Sequence, residues 1–377
     1  MLIRKESTDV LKNTSYKVIV MKVAVLGSGN GGHAVAFEWA RAGHDVYMYD
    51  FDDFTANIKA ISENGGITAE GDMTGFQKIA YAGHDIEKVV CGAEIIFVVA
   101  PGNAAVPFAE KCKPFLKAGQ IVVICPGSCF GSLEFKFELG MAIGDDDIII
   151  AETSTLPYAA RVAAPGKVTI PNRLKGGYYV AAVPSRDTAK VYEIMKKVYT
   201  NIEPAENIIK TSLQNANPVI HPAIMLSNLS KVDKKEKWEF YRDGVTAGVG
   251  RIIKAVDDDR VAIGKAYGAE IIPDPELGMT QGYMFNATYD VGYEKAPGFA
   301  GILAPTTTDH RYFNEDINGL CLWEEMAEYA GVSHHAITTV IDMASIVNSK
   351  DFRAIKTKTM DSLGFSRYSL EELNKVL

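Results

Sequence analysis

The sequence predicts an α/β domain built on a doubly wound, mostly parallel sheet, followed by an all-α domain. Three observations carry this expectation. Short continuous apolar runs alternate with helical stretches from Lys22 to about residue 200. A glycine-rich turn joins the first apolar run to the first helix. Beyond residue 200 the apolar residues recur at three and four instead of in runs. With 377 residues the chain is too long for one core, since cores stop growing at roughly 250–300 residues, and long enough for two.

In order, residues 1–20 lack apolar periodicity and are read as an N-terminal extension; their charged start has no apolar stretch of the kind a secretory signal needs. Met21 opens the first strand, VAVL (23–26), followed by a helix over HAVAFEWARAG (33–43) that Gly43 stops, and a strand DVYMYD (45–50). EIIFVVA (94–100), a helix over 105–116 ending before Gly119, QIVVICP (120–126) and DIIIAET (147–153) continue the alternation. GGYYVAAVP (176–184) and a helix near Lys190–Tyr199 close the domain, and strand signals then vanish. The boundary is set around Asn201–Pro204, giving a cofactor domain at 21–204 and a helical domain at 205–377. In the latter, Val245, Val249, Ile252, Ile253 and Val256 share one helix face, as do Ile337, Val340, Ile341 and Ala344.

Composition excludes several partners. The 39 Lys+Arg against 47 Asp+Glu leave a formal charge of -8, and no basic cluster is dense enough to grip nucleic acid. The apolar runs are strand-sized, so no membrane span is expected. Five cysteines (Cys91, Cys112, Cys125, Cys129, Cys321) include no CxxC pair, and an odd count argues against a disulfide framework. Cys125 and Cys129 are spaced CxxxC with no second pair, so no metal is expected. The expected location is the cytoplasm; the oligomeric state is left open, with a homodimer as the candidate.

Gly27-Ser28-Gly29-Asn30-Gly31-Gly32 fits GxGxxG at Gly27, Gly29 and Gly32. The motif follows a strand, opens a helix and precedes a second strand ending in Asp50, which is the context of a Rossmann dinucleotide site. Gly27 permits the turn, Gly29 lets a pyrophosphate approach, and Gly32 lets helix and strand pack closely. The free N–H groups of the helix start, with Asn30 and Gly31, favour the anion. Asp50 is placed to accept from ribose hydroxyls and to repel a 2′-phosphate, so NAD is expected over NADP. Pro101, at the end of a later strand, joins the expected cofactor contacts.

For chemistry the helical domain offers two polar clusters. His221 sits in Thr211-Ser212-Leu213-Gln214-Asn215-Ala216-Asn217-Pro218-Val219-Ile220-His221-Pro222, a polar stretch interrupting the helices, where Asn217 adds a hydrogen-bonding amide. From the residues alone His221 is either an acid–base group or a satisfied structural histidine. In Asp309-His310-Arg311-Tyr312-Phe313-Asn314-Glu315-Asp316, Arg311 offers a fork for a substrate carboxylate and Asp316 a partner for an imidazole, or the cluster simply caps a helix. His33, His44 and His84 read as structural, and the adjacent His334 and His335 cannot share a ligand.

The stretches GSGNGGHA (27–34), ETSTLPYAAR (152–161), TSLQNANPVIHP (211–222), VDDDRVAIGKAYG (256–268) and RYFNEDINGL (311–320) together resemble the opine dehydrogenases of the octopine/nopaline type, most closely bacterial members. The resemblance spans nearly all of the chain beyond Met21. It implies NAD-dependent reductive condensation of an amino acid with a 2-oxo acid, usually pyruvate. It also implies His221 as acid–base residue, Asp316 as its carboxylate partner, Arg311 as carboxylate binder, and Thr155 near the oxo acid. Tyr158 and Ala160 stand where some members have Trp and Cys, which bears on the amino acid accepted. The alternatives are another two-domain dehydrogenase, of the ketopantoate reductase or glycerol-3-phosphate dehydrogenase type, which would need a catalytic lysine, or a non-catalytic NAD-binding sensor. Lys210 precedes the His221 stretch but lies in no lysine motif.

Overall fold

The computed structural model describes residues 20–377, so the expected extension, but for residue 20, lies outside the described residues. Among the described residues twelve strands form two sheets: β1 (Lys22–Leu26), β2 (Asp45–Tyr49), β3 (Gly66–Gly71), β4 (Gly75–Lys78), β5 (Tyr81–Gly83), β6 (Ile95–Val98), β7 (Ile121–Ile124), β8 (Ile149–Thr153), β9 (Tyr158–Ala164), β10 (Lys167–Arg173), β11 (Tyr178–Val183) and β12 (Ile202–Pro204). The larger sheet runs β12-β11-β8-β7-β6-β1-β2-β5. Every neighbouring pair in it is parallel except β8 with β11, where Val180 faces Thr153. Residues of β6, β7, β8 and β11 are buried throughout, because helices cover both faces; that is why these strands read as unbroken apolar runs.

Two features differ from the expectation. Strands do not end at Val183, since Ile202–Pro204 adds the edge strand β12, parallel to β11. Its three residues, IEP, are too short to show a period. The second sheet, β4-β3-β10-β9, was not foreseen either. Its strands GITAEG, GFQK, YAARVAA and KVTIPNR mix buried and exposed positions, and none is buried throughout, so they lack the unbroken apolar runs of the larger sheet. This sheet packs on the first helix, Asn30–Arg41. The Asn30 side-chain oxygen accepts from Val162 N at 2.8 Å, and His33 Nε2 accepts from Gly166 N at 3.3 Å.

The helical part starts at Ile208–Leu213 and is built on Asn217–Ser227, Ala247–Ala266, Asp316–Ala330 and His335–Asn348. Thr246 caps the long helix by accepting from Val249 N. On that helix Val249, Ile253 and Val256 are buried, but Ile252 is 43% exposed and leaves the expected face. Ile337, Val340, Ile341 and Ala344 are all buried. One apolar core runs without a break from Ala24 and Val98 in the sheet through Ile224 and Ile253 to Trp323 and Leu373. Among the described residues no helix is long and apolar enough to cross a membrane.

Candidate active site

The glycine loop joins β1 to the helix Asn30–Arg41. Gly27 adopts φ +105°, and a Cβ at Gly32 would lie 1.9 Å from Gly27 O, so neither tolerates a side chain. A Cβ at Gly29 would meet nothing within 4 Å: this residue faces open space at a helix start that no side chain caps. That opening beside free N–H groups fits a dinucleotide pyrophosphate. Asp50 is buried beneath the loop. Its Oδ2 accepts from Ser28 N at 2.7 Å and Ser28 Oγ at 2.5 Å, and its Oδ1 from Phe51 N at 2.9 Å. The carboxylate therefore holds the loop in shape. Asn30 stands at the helix start but commits its side-chain oxygen to β9, and Gly31 packs beneath Val99 and Leu156.

At the ends of β6 and β7 a cleft of about 320 Å³ separates sheet from helices. Pro101, Gly102, Ser128 and Cys129 line it from the sheet side, and Arg311, Asp316 and Lys358 from the helical side. A crevice outside the carboxyl ends of parallel strands is where such sheets bind ligands. Glu315 crosses it, accepting from Gly102 N at 3.1 Å. Lys358 donates to Ser128 O at 2.8 Å and Cys129 O at 3.0 Å, and pairs with Glu134 at 2.8 Å. These bonds hold Ser128, Cys129 and Phe130 in three successive left-handed conformations, φ 44°, 61° and 64°.

His221 lies on the helix Asn217–Ser227, not in a break between helices as expected. Pro218 fits the first turn, where a missing N–H costs nothing, and Pro222 stands inside the helix. This helix and the one at Asp316–Ala330 pack together, bringing His221 Nδ1 to 2.7 Å from Asp316 Oδ2. His221 Nε2 lies 2.9 Å from the Tyr241 hydroxyl. The imidazole stacks on Tyr312, centroids 3.9 Å apart, with Phe240 against its edge. Burial holds His221 well below the usual imidazole range, with the Arg311 charge acting the same way. Burial also pushes Asp316 up to about 8, against the pull of Arg311. The pair is thus drawn to its uncharged form, and it titrates as a unit. Tyr241 is kept a neutral phenol, its pKa raised first by burial and then by Tyr312.

Arg311 opens the short helix Arg311–Asn314 at the mouth of the cleft, its guanidinium 4.8 Å above the Tyr312 ring. His310 caps this helix by accepting from Tyr312 N. Beyond Tyr312 a second cavity of about 600 Å³ opens, lined by Ala160, Arg161, Asn172, Gly298, Ile302 and Tyr312. Thr155 stands half-buried just past β8, and Asn217 half-buried at the start of the His221 helix; neither lines either cavity, although Asn215 and Pro218 beside Asn217 do. Lys210 is turned away, donating to Glu270 O.

Sequence reasoning missed Tyr241, Arg161 and Lys358. Tyr241 and Lys358 lie in stretches with no motif, and Arg161 was quoted only as the end of one. Their positions follow from packing between distant segments, which no local pattern encodes.

The sequence matches the family described as NAD/NADP octopine/nopaline dehydrogenase, alpha-helical domain, over residues 204–348. It matches the NAD-dependent glycerol-3-phosphate dehydrogenase N-terminus over residues 22–127. It is 32% identical to an opine dehydrogenase of Arthrobacter sp. (strain 1C), over 91% of this chain and 95% of that protein. It is 24% identical to a D-nopaline dehydrogenase of Agrobacterium tumefaciens (strain T37), over 85% of each. In fold it is similar to octopine dehydrogenase solved with NADH and agmatine, with a TM-score of 0.75 at 17% identity, over 94% of this chain and 98% of that one.

Proposed function

Because the chain belongs to the opine dehydrogenases, and with them is an NAD-dependent oxidoreductase acting on the CH–NH group of its donors, we propose that the buried His221–Asp316 pair is its acid–base group. The reaction is reductive condensation of an amino acid with a 2-oxo acid, or the reverse oxidation. NADH supplies the hydride that reduces the imine. The chain's own residues do the rest. The single observation that carries the reading is the 2.7 Å His221–Asp316 contact, buried directly below a cleft with a free guanidinium at its mouth.

Amine attack on a ketone and loss of water need a group that returns and takes a proton near neutral pH, which suits histidine. Asp316 fixes the ring, so that Nδ1 faces the carboxyl and Nε2 faces the Tyr241 hydroxyl. Arg311 takes the oxo-acid carboxylate in a two-pronged grip. Asp50, beneath the glycine loop, favours NAD by opposing a 2′-phosphate. Residues 21–204 then act as the cofactor domain and 205–377 as the catalytic domain. The five free thiols support a cytoplasmic location. Pyruvate is the 2-oxo acid we favour, because octopine dehydrogenase, whose fold this chain shares, has been solved with NADH and pyruvate.

The test is NADH oxidation with pyruvate and a panel of amino acids, together and apart. Turnover should require both, and the product should be a secondary amine carrying two carboxylates. Lactate formed without any amine would overturn the reading.

A further inference from the structure

Neither ring nitrogen of His221 reaches the cleft. Nδ1 is taken by Asp316 and Nε2 by the Tyr241 hydroxyl, one ring face is covered by Tyr312, and the side chain is 1% exposed. A proton travelling between His221 and a substrate therefore has to pass through another group. Tyr241 is the group in contact with Nε2, and it keeps 8% of its surface open. Its ring stacks on Phe299 at 4.2 Å, and the neighbours of Phe299 on either side, Gly298 and Ala300, line the second cavity. Phe299 in turn stacks on Tyr283 and Tyr293, so the phenol ring is clamped and its hydroxyl direction fixed.

We propose that Tyr241 is a catalytic residue: its hydroxyl is the proton relay between His221 and the substrate. This rests on the His221–Asp316 reading above. The exchange balances without a charged phenol. In the protonated pair, Nε2–H donates to the Tyr241 oxygen and the Tyr241 O–H points at the hydroxyl of the carbinolamine. Tyr241 gives its proton to that hydroxyl, the C–O bond breaks, and water leaves while the nitrogen lone pair closes the C=N bond. His221 passes its Nε2 proton to the Tyr241 oxygen, and the Asp316 carboxyl gives its proton to Nδ1. The pair ends with an ionised carboxyl and with Tyr241 donating to Nε2. In the oxidative direction every transfer runs backwards, and Tyr241 takes the proton from the attacking water.

The experiment is Tyr241→Phe beside His221→Ala, with NADH binding followed by fluorescence to show that both fold. The relay predicts that Tyr241→Phe binds NADH and both substrates with unchanged KM, loses roughly 10²-fold or more in kcat, and loses the solvent isotope effect of the coupled transfer. Replacing Tyr241 with 3-fluorotyrosine, which keeps the hydroxyl and the packing, should restore most of the kcat. Wild-type kcat in Tyr241→Phe with a dead His221→Ala overturns the relay and leaves the pair standing. Full activity in both variants overturns the pair as well. A fluorinated protein as slow as Tyr241→Phe makes Tyr241 a packing residue and overturns the relay.

Discussion

At Asp316 a carboxyl buried against an imidazole is pushed up to about 8, and this gives the reaction a pH signature. Below that value the pair holds the extra proton that condensation consumes; above it the proton is gone. Condensation turnover should therefore fall as pH rises through about 8, while oxidation, which needs the deprotonated pair, should rise through the same range. Profiles of both directions check this, and matching profiles would contradict it. His221→Ala should lower turnover by roughly 10²–10⁴-fold. Asp316→Asn should also lose activity, and the double variant should be little worse than the worse single one, because the two act as a unit. Arg311→Lys keeps the charge but loses the fork, so the KM for the oxo acid should rise by the equivalent of about 1.5–3 kcal/mol. At this scale the sequence was informative for His221, Asp316 and Arg311 only through a family likeness, since the residues alone left a structural histidine and a helix cap open. Tyr241 was invisible, because twenty residues of chain and a change of direction separate it from the ring it touches.

Among the elements, the glycine loop separates two kinds of constraint that one motif hides. Gly32→Ala would drive a Cβ into Gly27 O, so it should lower thermal stability and cofactor affinity together. Gly29→Ala meets nothing in the protein, so it should melt like the parent while NADH affinity falls roughly tenfold or more, about 1.4 kcal/mol. Titration and melting curves on the pair check this, and a destabilised Gly29→Ala would contradict it. Asp50→Ala should weaken NADH binding as well as relaxing the preference over NADPH, because Ser28 loses the acceptor that shapes the loop. The parallel strands were legible because burial on both faces makes them apolar throughout. The small sheet was not: none of its strands is buried throughout, and the four come from two distant segments, 66–78 and 158–173.

Among the described residues, the two parts share one of two apolar cores, the other lying within residues 21–202, and are bolted across the cleft by Glu315 to Gly102 and by Lys358 to Ser128 and Cys129. Heating should give one cooperative transition, with calorimetric and van't Hoff enthalpies in agreement; two resolved peaks would mean the parts fold independently. The change of apolar period near residue 200 told where sheet gives way to helix, but not that the core would ignore that divide. The small sheet has a further consequence, for engineering. Asn30, at the mouth of the glycine loop, is bonded to Val162, the neighbour of Arg161 in the second cavity. Ala159, Ala160 and Arg161 in the wall of that cavity are thus anchored to the cofactor helix and lie remote in sequence from His221 and Asp316. If that cavity holds the amino-acid side chain, exchanging Ala159 or Arg161 should shift which amino acid is accepted, and a panel of amino acids with NADH and pyruvate reads that shift.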